Sequence, residues 1–185
     1  MDARNYHVEK TLKNGLQVTI RAIRPDDRQA LLQAYQGLEK QTIYLRSFGA
    51  RADPTDEELR RWTDVDFVRT VRLVACLPEG EGERIVAGAV YVALDNSTPP
   101  EEAEIAFTVE EDYQGLGLGS RLLKHLARIG RAAGIRRFLA ETLPQNKAML
   151  AVFARSGLPM AKSYSEGVVH IRLDLGRDDG QDKGQ

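Results

Sequence analysis

Between Tyr113 and Leu123 the chain reads Gln114, Gly115, Leu116, Gly117, Leu118, Gly119, Ser120, Arg121, Leu122: a glutamine and three alternating glycines running into an amphipathic stretch. Glycine loses more backbone freedom on ordering than any other residue. Three of them at one helix entrance therefore point to a bulky group that must approach the main chain. The first N–H groups of a helix have no intrahelical acceptor and lie at the positive end of its dipole. An anion, and a phosphate above all, satisfies both features. The spacing predicts a phosphate-binding loop in which the main-chain groups from Gln114 to Ser120 converge on the ligand, with no Cβ in the way at 115, 117 and 119.

Two other kinds of glycine-rich loop are excluded by the residues around Gly119. A P-loop ends in Gly-Lys-Ser/Thr, whereas Gly119 is followed by Ser120 and Arg121. The dinucleotide fingerprint needs two residues between its second and third glycines and an acid about 20 positions on. Here Leu118 alone separates Gly117 from Gly119, and the later segment reads Arg136-Arg137-Phe138. The pattern that fits is Gln/Arg-x-x-Gly-x-Gly/Ala, as Gln114, Gly117 and Gly119, and with it the chain resembles the GNAT superfamily of acyl-CoA-dependent N-acyltransferases. Glu141 to Met149 looks like that family's fifth strand, turn and following helix, and Ser156-Gly157-Leu158 stands where a Gly-Phe pair is usual. Asn14-Gly15-Leu16, Ile23 to Asp27, Tyr44-Leu45-Arg46 and Leu143 to Met149 bring it nearest to the catalytic domain of bacterial protein lysine acetyltransferases.

The resemblance implies an α/β fold, a mixed sheet whose fourth and fifth strands (Glu102 to Val109 and Arg136 to Thr142) splay apart to admit the pantetheine arm of acetyl-CoA. It implies direct transfer of an acetyl group to a primary amine, with a protein lysine favoured over a small amine or a protein N-terminus. A lysine amine of pKa ~10.4 is almost wholly protonated at pH 7, so a base must take its proton. Glu104, on the strand leading into the glycine loop, is the first candidate base, and Glu102 on the same face is its rival. Glu141 is a weaker candidate. A main-chain N–H among Phe107, Thr108 and Val109 can stabilise the thioester oxygen as it gains charge, and Asn146 can bond the cofactor arm or cap its own helix. Many members of the family carry, four residues before the glycine of the Gly-Phe pair, a tyrosine that protonates the leaving thiolate. This chain has Phe153 there. A non-catalytic CoA-binding module is the alternative, since it keeps the loop without needing a base.

These residues need a scaffold, and the chain supplies one. With 185 residues it fits one domain, residues 1–175, followed by a hydrophobic-free tail at 176–185 expected to be disordered. Lys13-Asn14-Gly15 between two apolar stretches is a hairpin signal. Thr55-Asp56-Glu57-Glu58 reads as a capping box, and Thr42 to Phe48 as a helix. Val68 to Leu77 and Arg84 to Leu94 read as paired strands. In Glu102 to Val109, Glu102, Glu104, Ala106 and Thr108 alternate with Ala103, Ile105, Phe107 and Val109. A helix from about 117 to 133 should carry an apolar stripe of Leu122, Leu123, Leu126, Ile129 and Ala133, and set Arg121, Lys124, His125, Arg128 and Arg131 on its opposite face. Met160 to Leu175 should form two final strands or a hairpin.

A net charge of −1 argues against nucleic acid or an anionic membrane as partner. The longest apolar run, Ile85 to Leu94, is too short to span a bilayer. The lone Cys76 and three scattered histidines offer no disulfide and no metal cluster. These features suit a cytoplasmic monomer or homodimer without a metal. Trp62 and Tyr44 are aromatic candidates for the acceptor side.

Overall fold

The computed structural model describes residues 1–47 and 52–176. Phe48 and residues 177–185, which include nearly all of the expected tail, lie outside the described residues. Eight strands form one sheet in the order β1-β2-β3-β4-β5-β6-β8-β7. They are β1 His7–Thr11, β2 Gln17–Ala22, β3 Thr70–Glu79, β4 Gly82–Ala93, β5 Glu102–Val109, β6 Arg137–Thr142, β7 Met160–Ser165 and β8 Val168–Asp174. Every neighbouring pair is antiparallel except β5 and β6. That pair is parallel because a helix, α4 (Leu118–Ala132), carries the chain back between them. The mixed sheet expected from the sequence is the observed one.

The helices divide between the two faces. On α4, Leu118, Leu122, Leu123, Leu126 and Ile129 recur at helical spacing and are buried against Val71, Leu73, Tyr91, Phe138 and Leu173. Fully burying side chains of this size stabilises the fold by roughly 1.5–3 kcal/mol each. On the opposite face a smaller cluster of Ile23, Val74, Cys76 and Ile85 takes α1 (Arg28–Gln36) through Ala30, Leu31 and Ala34. The helices α2 (Lys40–Ser47) and α3 (Asp56–Thr63) complete that side, and α5 (Lys147–Ala154) packs beside α4. The entry to α1 is fixed by Arg21, buried and bidentate on Asp27 at 2.7 and 2.8 Å, with Glu83 on its Nε at 2.8 Å.

The local signals behave as their chemistry requires. Thr55 accepts from the Glu58 N–H while the Glu58 carboxylate accepts from the Thr55 N–H, closing the capping box. The β1–β2 hairpin turns at Gly15, and the β7–β8 hairpin at Glu166 and Gly167, both with positive φ. One assignment is corrected. His125 belongs to the buried side of α4, not its opposite face, and its Nδ1 meets the Tyr6 hydroxyl beneath the N-terminal segment. A stripe wide enough to face both the sheet and that segment takes in a position that helical spacing alone leaves polar.

Candidate active site

One strand, β5, organises the site. Toward β4 it keeps an unbroken register from Ala87↔Val109 to Ala93↔Ala103. Toward β6 it holds only Glu102↔Arg137, Ala103↔Phe138 and Glu104↔Leu139. Beyond Glu104 the two strands part. The Glu110 N–H donates to the Val86 carbonyl, and the Leu94 N–H to that of Glu102, both at 2.9 Å. These bonds fix the phase of the ladder: even-numbered residues of β5 bond β4, and odd-numbered ones face β6. The main-chain groups of Phe107 and Val109 are therefore directed at the gap, where no strand meets them.

The gap is the floor of a cleft of about 900 Å³. Its walls are β5 from Glu104, the glycine loop, the end of β6 with Gln145 and Asn146, and α5 through Phe153. Gln114 does not point into the loop's hollow. Its amide donates to the Val109 carbonyl at 3.0 Å and approaches the Thr42 hydroxyl at 3.5 Å, tying the loop to the end of β5 and to α2. Gly115 and Gly117 have φ of +76° and +88°, a conformation that strains any residue with a Cβ. Gly117 also caps α4 with no side-chain bond, leaving the helix's first N–H groups open to the cleft. Gly119 has a second duty. A Cβ there would lie 3.1 Å from Val152 Cγ2, so its missing side chain lets α5 approach α4.

Lys13, in the β1–β2 turn, was not singled out from the sequence. It lines the cleft, and its Cε lies 3.8 Å from where a Gly117 Cβ would stand. Its only sequence signal is the Asn14-Gly15 turn, which says nothing of which loop it meets. Arg121, by contrast, donates to the Thr11 carbonyl at 2.8 Å and so is tied to β1. The Asn146 side chain accepts from the Met149 N–H at 3.1 Å and caps α5, leaving its amide on the cleft wall. Phe153 is buried and packs edge-on to Phe107 with ring centroids 6.1 Å apart, so this wall carries no hydroxyl at that position.

The two candidate carboxylates of β5 differ in their partners. Glu102 lies 2.6 Å from Arg137 Nε across the β5–β6 ladder, close but not aligned as a hydrogen bond. Glu104 is exposed, with no hydrogen-bond or ion-pair partner for its carboxylate among the described residues. Together with Ala140 and Glu141 it lines both the cleft and an adjoining groove of about 510 Å³ over β6, β8 and β7. Glu141 faces His170 Nδ1 at 3.2 Å. Trp62 lines a separate pocket under α1, and Tyr44 is exposed, lining none of these cavities. Burial pushes the Cys76 thiol up to about 12, which leaves no thiolate near pH 7. Among the described residues no cluster of metal-ligating side chains is present, and none of the helices is long and apolar enough to cross a membrane.

Known proteins share both the sequence pattern and the fold. The model of the Acetyltransferase (GNAT) family matches residues 34–158. Acetyltransferase PA5475 of Pseudomonas aeruginosa is 30% identical over 143 residues, 77% of this chain and 75% of that protein. Acetyltransferase Pat of Mycolicibacterium smegmatis is also 30% identical, over 164 residues; these are 89% of this chain but 47% of that relative, so the chain spans about half of it. The crystal structure of the GNAT domain of S. lividans PAT superposes with a TM-score of 0.82 at 33% identity, covering 91% of this chain and 96% of that one. The splayed strands, the glycine loop and these matches agree: the chain belongs to the GNAT family of acetyltransferases.

Proposed function

We propose that this acetyltransferase moves the acetyl group of acetyl-CoA directly onto a protein lysine side chain, with Glu104 as the base. The observation that carries the reading is the end of the β5–β6 ladder at Glu104. That residue stands where the cofactor cleft meets an open groove on the sheet surface, and its carboxylate is unengaged among the described residues. A groove bounded by the exposed strand β7 suits an extended polypeptide better than an enclosed small molecule.

The residues present fit acetyl-CoA. The gap is floored by main-chain groups without strand partners, and the loop from Gln114 through Gly115, Leu116, Gly117, Leu118, Gly119 and Ser120 offers donors to phosphates, with Lys13 beside it. When bound, acetyl-CoA supplies an activated thioester. Glu104, directly or through a water, accepts the proton of the lysine ammonium and frees its nitrogen for attack, a contribution of roughly 10²–10⁴-fold. One main-chain N–H of the open edge, at Phe107 or at Val109, donates to the carbonyl oxygen as its charge grows. The Asn146 amide reaches the cofactor arm from the cleft wall. Phe153 gives no proton, so the thiolate, with a thiol pKa of about 8.5 in free solution, departs without an acid from α5.

The test is calorimetric titration with acetyl-CoA, desulfo-CoA and ATP, followed by assay of CoA release with lysine peptides and with small amines. Saturable binding of both CoA compounds, weak ATP binding and turnover on lysine peptides are expected. Binding without turnover on any amine would leave a CoA-binding module in place of an enzyme of this specificity. Turnover confined to small amines would overturn the lysine assignment.

A further inference from the structure

Arg72 is a half-buried charge without a carboxylate partner among the described residues. It lies on β3, and the register Arg72↔Val90 and Val90↔Ala106 puts it on the face of the sheet that carries Glu104. Its Nε is buried and unbonded, and its guanidinium carbon lies 5.8 Å from the centre of the Trp62 ring. Glu110, the acid that borders the same pocket, is engaged by Arg84. Burial and the like charge of Arg46 push the Arg72 guanidinium down to about 10. An arginine held this way is costly unless an anion completes it.

The space beside it fits such an anion. A cavity of about 230 Å³ lies under α1, walled by Leu31, Ala34, Leu38 and Ile43, with Arg72 and Trp62 in its lining. Arg46, Ser47, Ala106 and Thr108 border both this cavity and the cofactor cleft, so the two adjoin on the acceptor side of β5. Ligand pockets for whole small molecules run to about 300 Å³ and upward. This one takes a single side-chain-sized group. Its apolar walls suit a short methylene stem, and the Arg72 guanidinium suits one negative charge. We infer that the pocket around Arg72 is a specificity subsite for a carboxylate side chain next to the acceptor lysine, so that the enzyme prefers acceptor segments carrying Glu or Asp beside it. The inference rests on the lysine reading of the site only for the word acceptor; the carboxylate pocket stands on Arg72 itself.

Trp62 is the only tryptophan in the chain and therefore reports on the pocket without any turnover. The full chain is titrated with N-acetylglutamate methylamide and with its neutral glutamine twin, and Trp62 emission is followed. A saturable change with the glutamate compound, at least tenfold tighter than with glutamine and absent in Arg72→Met, is expected. Equal responses to the two compounds, or a response that survives Arg72→Met, would overturn the subsite. Arg72→Met removes a half-buried charge that no carboxylate among the described residues offsets, so it should fold and melt no lower than the parent; a clear drop in melting temperature would count against the unpaired state. CoA release is then measured on blocked Glu-Lys against blocked Gln-Lys, and on Nα-acetyllysine against its amide. A preference of fivefold or more for Glu-Lys, lost in Arg72→Met, supports the neighbouring side chain. A preference only for the free carboxylate of acetyllysine overturns that assignment in favour of a small acceptor. Turnover on neither pair, with the emission change intact, would remove the lysine reading and leave the carboxylate pocket standing.

Discussion

The two edges of β5 are built from the same eight residues and do opposite work. Along β4 the strand is paired from Ala103 to Val109, and its inward side chains Ala103, Ile105 and Phe107 are buried in the main core. Along β6 it is paired at three positions and then released. The first edge is structure; the second is a row of main-chain groups without strand partners. Buried main-chain groups are almost always bonded, so a ladder that stops in the middle of a sheet marks the place where something other than protein completes it. The same boundary separates the two glutamates, with Glu102 inside the ladder facing Arg137 and Glu104 at its last rung facing the cleft.

The sharpest way to break this contrast is at its last rung. Glu104→Gln keeps the shape of the side chain and removes the proposed base. Turnover should fall by roughly 10²–10⁴-fold while acetyl-CoA affinity is unchanged within about twofold, as expected when only the proton acceptor is lost. Steady-state CoA release beside calorimetry reads both. Equal loss of binding and turnover would assign Glu104 to the cofactor and remove it as base.

The loop that closes the open edge comes next. Gly117→Val places a branched side chain at φ +88° and over the helix N-terminus, and acetyl-CoA affinity should weaken by about 100-fold. Strain alone is controlled by Gly167→Val, at φ +81° in the β7–β8 turn with nothing within 4 Å of its Cβ position. Both variants should lose about 1–2 kcal/mol of stability, and only the first should lose the ligand. Matching affinities in the two would refute the phosphate-loop assignment.

How much of this was readable in the sequence depends on whether a feature is local. The glycine loop, the capping box at Thr55 and the hairpin at Asn14-Gly15 are determined by neighbours in the chain, and each is found where its chemistry put it. The alternation of β5 also held, with Glu104 out and Ile105 in. The rung at which β5 and β6 part is not local. It depends on how far strands from distant parts of the chain stay in register, which no periodicity encodes. The approach of Lys13 to the loop, the isolation of Arg72 from any carboxylate among the described residues and the burial of His125 likewise come from elements distant in sequence.

His125 makes that last point measurable away from the site. Burial, then the nearby charges of Lys10, Lys124, Arg128 and Arg121, lower its pKa to about 4. The unfolded chain takes up this proton near pH 6.5 and the folded one resists until about 4. Between those values the unfolded state binds more protons, so stability rises with pH across the window and is lost on acidification. Urea unfolding should show a loss on the order of 2 kcal/mol from pH 7 to 4.5. His125→Gln, which can still accept from the Tyr6 hydroxyl, should flatten that slope. An unchanged slope would mean that the histidine titrates as it does in the unfolded chain.

The smallest effect belongs to the paired glutamate and completes the comparison. Glu102 and Arg137 are both partly exposed, and pairs of that kind contribute about 0–1 kcal/mol. Glu102→Gln should therefore shift the unfolding midpoint only slightly and leave turnover within about threefold of the parent, because strands β5 and β6 remain paired through their main chains at that rung. Two glutamates two residues apart, on one face of one strand, would then differ at least thirtyfold in their effect on rate, on the order set by loss of a positioned base. If Glu102→Gln instead matches Glu104→Gln, the base is shared or misassigned, and the end of the ladder is not what selects the catalytic carboxylate.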